Sequence, residues 1–364
     1  MAKVFVTRKL PGSALDRLAT LHDVDVWSED APITREALVF GASEAEGLIC
    51  MLTDPIDADL IEQLPKLRAI STYAVGYNNI DIEAATARGI AVGHTPDVLT
   101  EATADIAFAL MLAAARKIAV GDRVVRNEGW PDWSPTTLLG HDIHGRTLGI
   151  VGYGRIGKAV ARRARGFGMR VVYSGRVGSA ATDRNVGVDE DAASRRDWLS
   201  NMLRSGAEAG ARAGTRGRID IDLSNKSEHD PEAERFALDE LLQISDFVSL
   251  HCRLTEQTKW LINERALSLM KPSAYLINTA RGEVVEQDAL VHALNEGWIA
   301  GAALDVTDPE PLPADSSLLE CQNLTITPHL GSGTLECRAE MTDLAVDNLL
   351  AGLAGEPLPA AVTA

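Results

Sequence analysis

Short apolar runs bounded by turn residues alternate with segments of helical period along most of the chain. Residues 3–7 (KVFVT), 46–51 (EGLICM), 66–73 (KLRAISTY) and 90–92 read as strands, with helices over 55–64 and 81–88 between them. From 103 to 118 (TADIAFALMLAAARKI) alanine and leucine leave little polar face, which predicts one buried helix. A Trp/Pro-rich connection, 129–136 (GWPDWSPT), leads to a second alternation beginning at Thr147: strand 148–151, glycine turn, helix 158–166 and strand 170–173. The pattern then lapses. Residues 177–235 are rich in Asp, Ser, Gly, Ala and Arg, have little to bury, and predict a flexible, solvated insertion with one short helix at 198–203. From Phe236 the alternation resumes, with strands at 247–251, 274–278, 301–306 and 324–327 and helices at 238–244, 263–270, 286–296 and 334–351. Strands alternating with helices in this way define an α/β protein.

Composition narrows the class. A length of 364 residues suits about two domains. Thirty-five Lys and Arg against 52 Asp and Glu leave a formal charge of −17, which argues against nucleic acid or an anionic membrane as partner. No apolar run approaches the ~18 residues of a membrane span. The first residues lack the apolar core of a secretory signal, so a cytoplasmic address is expected. Cys50, Cys252, Cys321 and Cys337 form no CxxC pair, so neither a metal site nor a disulfide framework is indicated.

Gly152-Tyr153-Gly154-Arg155-Ile156-Gly157 fits GxGxxG between a strand and a helix, the setting in which that turn binds a dinucleotide. Gly152 permits the tight turn, Gly154 lets a pyrophosphate approach the backbone, and Gly157 lets the helix sit close to the strand. Arg155 and Ile156 complete the cofactor-binding set at the helix N-terminus. An acid at the end of the following strand would bond the ribose 2′-hydroxyl and select NAD. Here Ser174-Gly175-Arg176 stands instead. With no carboxylate to repel a 2′-phosphate, and with Arg176 able to pair with one, NADP(H) is favoured over NAD(H); otherwise Arg176 is a solvated turn residue.

Three further strand ends carry reactive side chains: NTARG (278–282), LDVTDPEP (304–311) and PHLGS (328–332). They supply Arg281, the carboxylates Asp305 and Glu310, and His329. Hydride transfer to a 2-keto acid needs these types: a cation for the carboxylate, a proton donor at the carbonyl, and an acid that keeps the donor charged. Singly, each is an ordinary surface or structural residue. The conjunction with the glycine turn gives them weight.

Seven stretches recur in order: AVGYNNID (74–81), HTPDVLTEATADIAFALMLAAAR (94–116), GWPDW (129–133), LGIVGYGRIGKAVARRARGFG (148–168), INTARGEVV (277–285), ALDVTDPEPLP (303–313) and TPHLGSGT (327–334). On these the chain resembles the D-isomer-specific 2-hydroxyacid dehydrogenases, and within them the reductases of glyoxylate and hydroxypyruvate. The resemblance implies two Rossmann-like domains, each a doubly wound parallel sheet, with an active-site cleft between them. Residues 1–103 and 333–364 would bind substrate, and 104–332 the coenzyme. It implies His329 as general acid/base, Glu310 as its partner, and Arg281 as anchor for the substrate carboxylate, with the Val75 and Gly76 amides beside it. Asp305, Thr279 and Gly331 would lie in the cofactor cleft. Arg253, where many relatives have proline, is either a 2′-phosphate ligand or a tolerated exchange. The 129–133 segment matches an arm that relatives use to dimerise, so a homodimer is expected. Phosphoglycerate dehydrogenase shares most of these motifs, motif residues alone do not separate a lactate or phosphite dehydrogenase, and dinucleotide-sensing corepressors share the fold, so these readings stay open at this point.

Overall fold

The computed structural model describes residues 1–29, 31–130, 132–175 and 233–362. The insertion over residues 176–232, the short helix expected at 198–203, and Arg176 lie outside the described residues.

Five parallel strands, β1 (Lys3–Val6), β2 (Asp23–Val26), β3 (Gly47–Cys50), β4 (Ala69–Thr72) and β5 (Ala91–Gly93), form a sheet of order β2-β1-β3-β4-β5. Strands β3 and β4 are buried at every position, so neither alternates apolar with exposed polar residues. Edge strand β2 (DVDV) alternates exposed with half-buried positions; its aspartates hid it from a search for apolar runs. The closing helix, Leu335–Ala354, returns to pack on β3, β4 and β5. Its buried Asn348 accepts from the Ala360 amide (2.8 Å) and donates to the His94 carbonyl (2.9 Å), tying the chain's end to the first sheet.

A second parallel sheet has the order β12-β11-β10-β9-β6-β7-β8. Its strands are β6 (Thr147–Val151), β7 (Arg170–Ser174), β8 (Ala233–Arg235), β9 (Phe247–Leu250), β10 (Tyr275–Asn278), β11 (Gly301–Leu304) and β12 (Leu324–Ile326). Strand β8 corrects the sequence reading. The sequence pattern places residues 233–235 in the solvated insertion, yet they pair with β7 in the register Val171↔Ala233 to Tyr173↔Arg235. Three residues with two charges among them carry no legible strand pattern; the edge of an existing sheet supplies their hydrogen bonds.

The apolar helix spans Thr100–Ala115 rather than continuing to 118. Lys117 takes a left-handed backbone (φ 52), and a separate helix, Ile118–Glu128, follows. Thr100–Ala115 packs on the Arg155–Gly166 helix and on β10 and β11, burying Ala107, Phe108, Leu110 and Met111. Each sheet reverses its strand order once, between β1 and β3 and between β6 and β9. In open α/β sheets such a reversal leaves a crevice at the strands' C-terminal ends, where ligands bind.

Candidate active site

Loops from those C-terminal ends line one cavity of about 960 Å³, to which both sheets contribute. From the first sheet come Met51, Tyr73 and the 74–78 loop; from the second come His251, Arg281 and His329.

The His329 loop is held by a single buried carboxylate. Asp305, 2% exposed and one residue past β11, accepts the Leu330 amide on Oδ1 (2.7 Å) and the Gly331 amide on Oδ2 (2.7 Å). The Thr327 hydroxyl also donates to Oδ1 (2.5 Å). His329 sits between these anchors with a left-handed backbone (φ 54), a conformation that costs a non-glycine residue about 1 kcal/mol or more. Its own amide reaches the Asp305 carbonyl (2.9 Å) and the Thr327 carbonyl (3.0 Å). Convergent amides of this kind form a nest around an anion; here the anion is Asp305.

The loop so fixed puts His329 Nδ1 2.8 Å from Glu310 Oε2. The other Glu310 oxygen accepts the Thr307 amide (3.0 Å). Burial pushes the Glu310 carboxyl upward, but the His329 bond and charge, the Thr307 amide and Arg281 outweigh it and hold the group below the usual carboxylate range. An ionised carboxylate only accepts, so Nδ1 carries the proton in this bond.

Arg281, just past β10, donates through Nη1 to the Ala280 carbonyl (2.8 Å) and through Nε to Asn78 Oδ1 (3.4 Å). The Asn78 contact brings it against the 74–78 loop. The guanidinium lies directly against the Gly76 backbone, in the space a Cβ there would take. Burial lowers the Arg281 pKa from its ordinary value, opposed by Glu310 and Glu283. The Val75 and Gly76 amides have no acceptor among the described residues, and both residues line the cavity. Arg281, Glu310, His329, Val75 and Gly76 are thus brought to one place.

The glycine turn lies at the β6–β9 reversal. Gly152 has φ 94, and a Cβ there would strike the backbone of His251 and Cys252 after β9; a Cβ on Gly157 would strike the Gly152 carbonyl. Gly154 faces open space and is the N-cap of the Arg155–Gly166 helix, with no side chain capping it. The first amides of this helix therefore stay available to an anion. These features fit a dinucleotide pyrophosphate. Ile156, Arg253, Thr279, Asp305 and Gly331 all line the cavity. Arg155, at the start of the helix, pairs through Nε with Asp97 Oδ1 at 2.6 Å. Ser174 ends β7, and its carbonyl accepts the Gly152 amide (2.8 Å).

His251, which had no motif to distinguish it from the other histidines, also lines the cavity. Its Nε2 bonds Ser249 Oγ (2.8 Å) and its Nδ1 meets Thr279 Oγ1 (3.4 Å); burial pushes its pKa down to about 3, so it is neutral. Only its position after a strand signalled it.

Residues 108–209 and 218–331 match the family model for the D-isomer specific 2-hydroxyacid dehydrogenase, NAD binding domain. A protein named glyoxylate reductase from Korarchaeum cryptofilum is 43% identical over 358 residues, covering 98% of this chain and 94% of that protein. The crystal structure of a Thermus thermophilus protein superposes with a TM-score of 0.80 at 41% identity, covering 99% of this chain and all of that one. An NADPH-dependent glyoxylate/hydroxypyruvate reductase from Sinorhizobium meliloti, in complex with NADP and malonate, is 27% identical with a TM-score of 0.75, covering 100% and 97% of the two chains. The chain belongs to the D-isomer specific 2-hydroxyacid dehydrogenase family, a class of NAD(P)-dependent oxidoreductases.

Replacing Asp305 by Asn would present an amide donor to a nest of donors. Asp305→Asn is expected to lose about 2–4 kcal/mol of stability and most of its turnover. Thermal unfolding together with steady-state kinetics checks this, and a variant that keeps wild-type stability and rate contradicts the clamp.

Proposed function

We propose that this protein reduces glyoxylate to glycolate and hydroxypyruvate to D-glycerate, with NADPH as the preferred coenzyme. The observation that carries the reading is the His329–Glu310 pair set beside Arg281 on one cavity. The names of the relatives supply the substrate. Support for NADPH comes from the end of β7, where Ser174 and Gly175 put no carboxylate against a 2′-phosphate. In this reading residues 1–103 and 333–364 hold substrate and 104–332 the coenzyme, in the cytoplasm.

A coenzyme held at the glycine turn would supply the hydride that C2 of the keto acid takes up. Arg281 and the Val75 and Gly76 amides hold the substrate carboxylate and orient the carbonyl. His329, protonated and tethered at Nδ1 by Glu310, gives the Nε2 proton to the carbonyl oxygen as that oxygen gains charge. Glu310 stabilises the imidazolium and sets the ring's orientation. Arg281 opposes charge build-up on the oxygen.

The exposed Trp130 (74%) and Trp133 (72%), with Ile118, Val125 and Leu139, support the homodimer as the working state. Sedimentation equilibrium should return twice the chain mass; a monomer mass removes this part.

The direct test follows reduced-nicotinamide absorbance with glyoxylate and hydroxypyruvate, each with NADPH and with NADH. Fast oxidation of NADPH is expected. Preference for NADH discards the coenzyme choice, and silence with both keto acids discards the substrates. His329→Ala should lower turnover about 10²–10⁴-fold while coenzyme binding persists.

A conservative exchange separates the roles within the pair. Glu310→Gln keeps a hydrogen-bonding side chain beside Nδ1 but removes the charge next to the proton donor, so kcat for reduction should fall about tenfold or more while the coenzyme dissociation constant holds. An unchanged kcat would rule out the pairing role.

A further inference from the structure

The described end of β8 carries a guanidinium that none of the recognised motifs accounts for. Arg235 is the last residue of β8, in register with Tyr173 of β7, and the Phe236 amide continues the ladder to the Tyr173 carbonyl at 2.9 Å. Its exposed side chain reaches across the strand ends, and Nη2 donates to the Gly175 carbonyl at 3.1 Å. Gly175 follows β7, and Ser174 before it is tied to the glycine turn through the Gly152 amide. In this fold, the end of the strand following the glycine turn is where the adenosine ribose is read.

Among the described residues the charge on Arg235 is uncompensated. A guanidinium has five N–H donors, and of those residues only Gly175 takes one from Arg235, through its carbonyl, with no ion pair. The neighbouring acid does not serve it. Successive residues of a strand face opposite sides, and Glu234 is held by Arg170, Nη2 to Oε2 at 2.9 Å. With Ser174 and Gly175 uncharged, the described residues of this corner present a cation and no free carboxylate.

We propose that Arg235 is a ligand of the phosphate monoester on the 2′ position of the coenzyme's adenosine ribose, and so determines coenzyme specificity. The proposal rests on the NADPH reading given above. The Gly175 bond holds one arm of the guanidinium and pre-orients the fork, leaving its remaining N–H groups for phosphate oxygens. NADH lacks that phosphate, so among the described residues its complex leaves Arg235 only the Gly175 carbonyl.

The experiment compares the wild-type protein with Arg235→Gln. Dissociation constants for NADPH and NADH come from fluorescence titration, and those for 2′,5′-ADP and 5′-AMP from calorimetry, with thermal unfolding of both proteins as a fold control. Arg235→Gln is expected to weaken NADPH and 2′,5′-ADP by about tenfold or more, and to leave NADH and 5′-AMP within about twofold. A wild type that binds 2′,5′-ADP much more tightly than 5′-AMP, with Arg235→Gln unchanged in both, overturns the Arg235 assignment alone. Equal weakening of all four ligands also overturns it, since it shows Arg235 acting through the shape of the strand end. A wild type with no preference for the 2′-phosphate overturns the NADPH reading and this assignment together.

Discussion

The site depends on one buried carboxylate that performs no chemistry in the proposed reaction. Asp305 gathers two consecutive amides and a hydroxyl, and this enforces a left-handed backbone at His329. Without those bonds the local preference of a histidine is for negative φ, and the ring would leave Glu310. The cost of the conformation is about 1–3 kcal/mol. Charge-assisted hydrogen bonds contribute about 1.5–3 kcal/mol each, so three of them over-determine the loop. Asp305 sits one residue beyond a buried strand, so the core of the second sheet sets the position of the imidazole.

The two sheets share this logic of placement. Each has a reversal of strand order, and the loops at both reversals face the same cavity. At one, Gly152 and the His251–Cys252 backbone come so close that a side chain on the glycine is excluded. At the other, the turn after β3 is fixed by buried Asp54, which accepts the Met51 amide (2.7 Å) and the Thr7 hydroxyl (2.5 Å). Buried Asp54 and Asp305 hold loops in place, leaving the reactive charge to Arg281, Glu310 and His329.

What the sequence made legible follows from this. The residues proposed to meet ligands lie in short loops with Gly, Pro and charged neighbours, so Gly152–Gly157, Arg281, Glu310 and His329 stand out as candidates from the sequence. The central strands could be read because both their faces are buried. Strand β2 and strand β8 could not, because edge strands borrow their order from a neighbour and carry charges of their own. Asp305 was expected at the cofactor; its three donors come from a loop more than twenty residues onward, which no local pattern reveals. His251 and Arg235 were missed for the same reason, since what singles them out is the strand end lying next to theirs.

The charge arithmetic of the site matches the reaction proposed for it. Glu310 lies near two cations, and its depressed pKa reflects both His329 and Arg281. With His329 protonated, the three groups carry two positive charges and one negative, a surplus that suits a monocarboxylate substrate. Once the proton has passed to the carbonyl oxygen, the charges of the same groups sum to zero while the product keeps its carboxylate. The attraction that held the keto acid is thus weakened by the step that makes the hydroxy acid. Burial of Arg281 sharpens the contrast, because an unscreened charge responds more strongly to each neighbour.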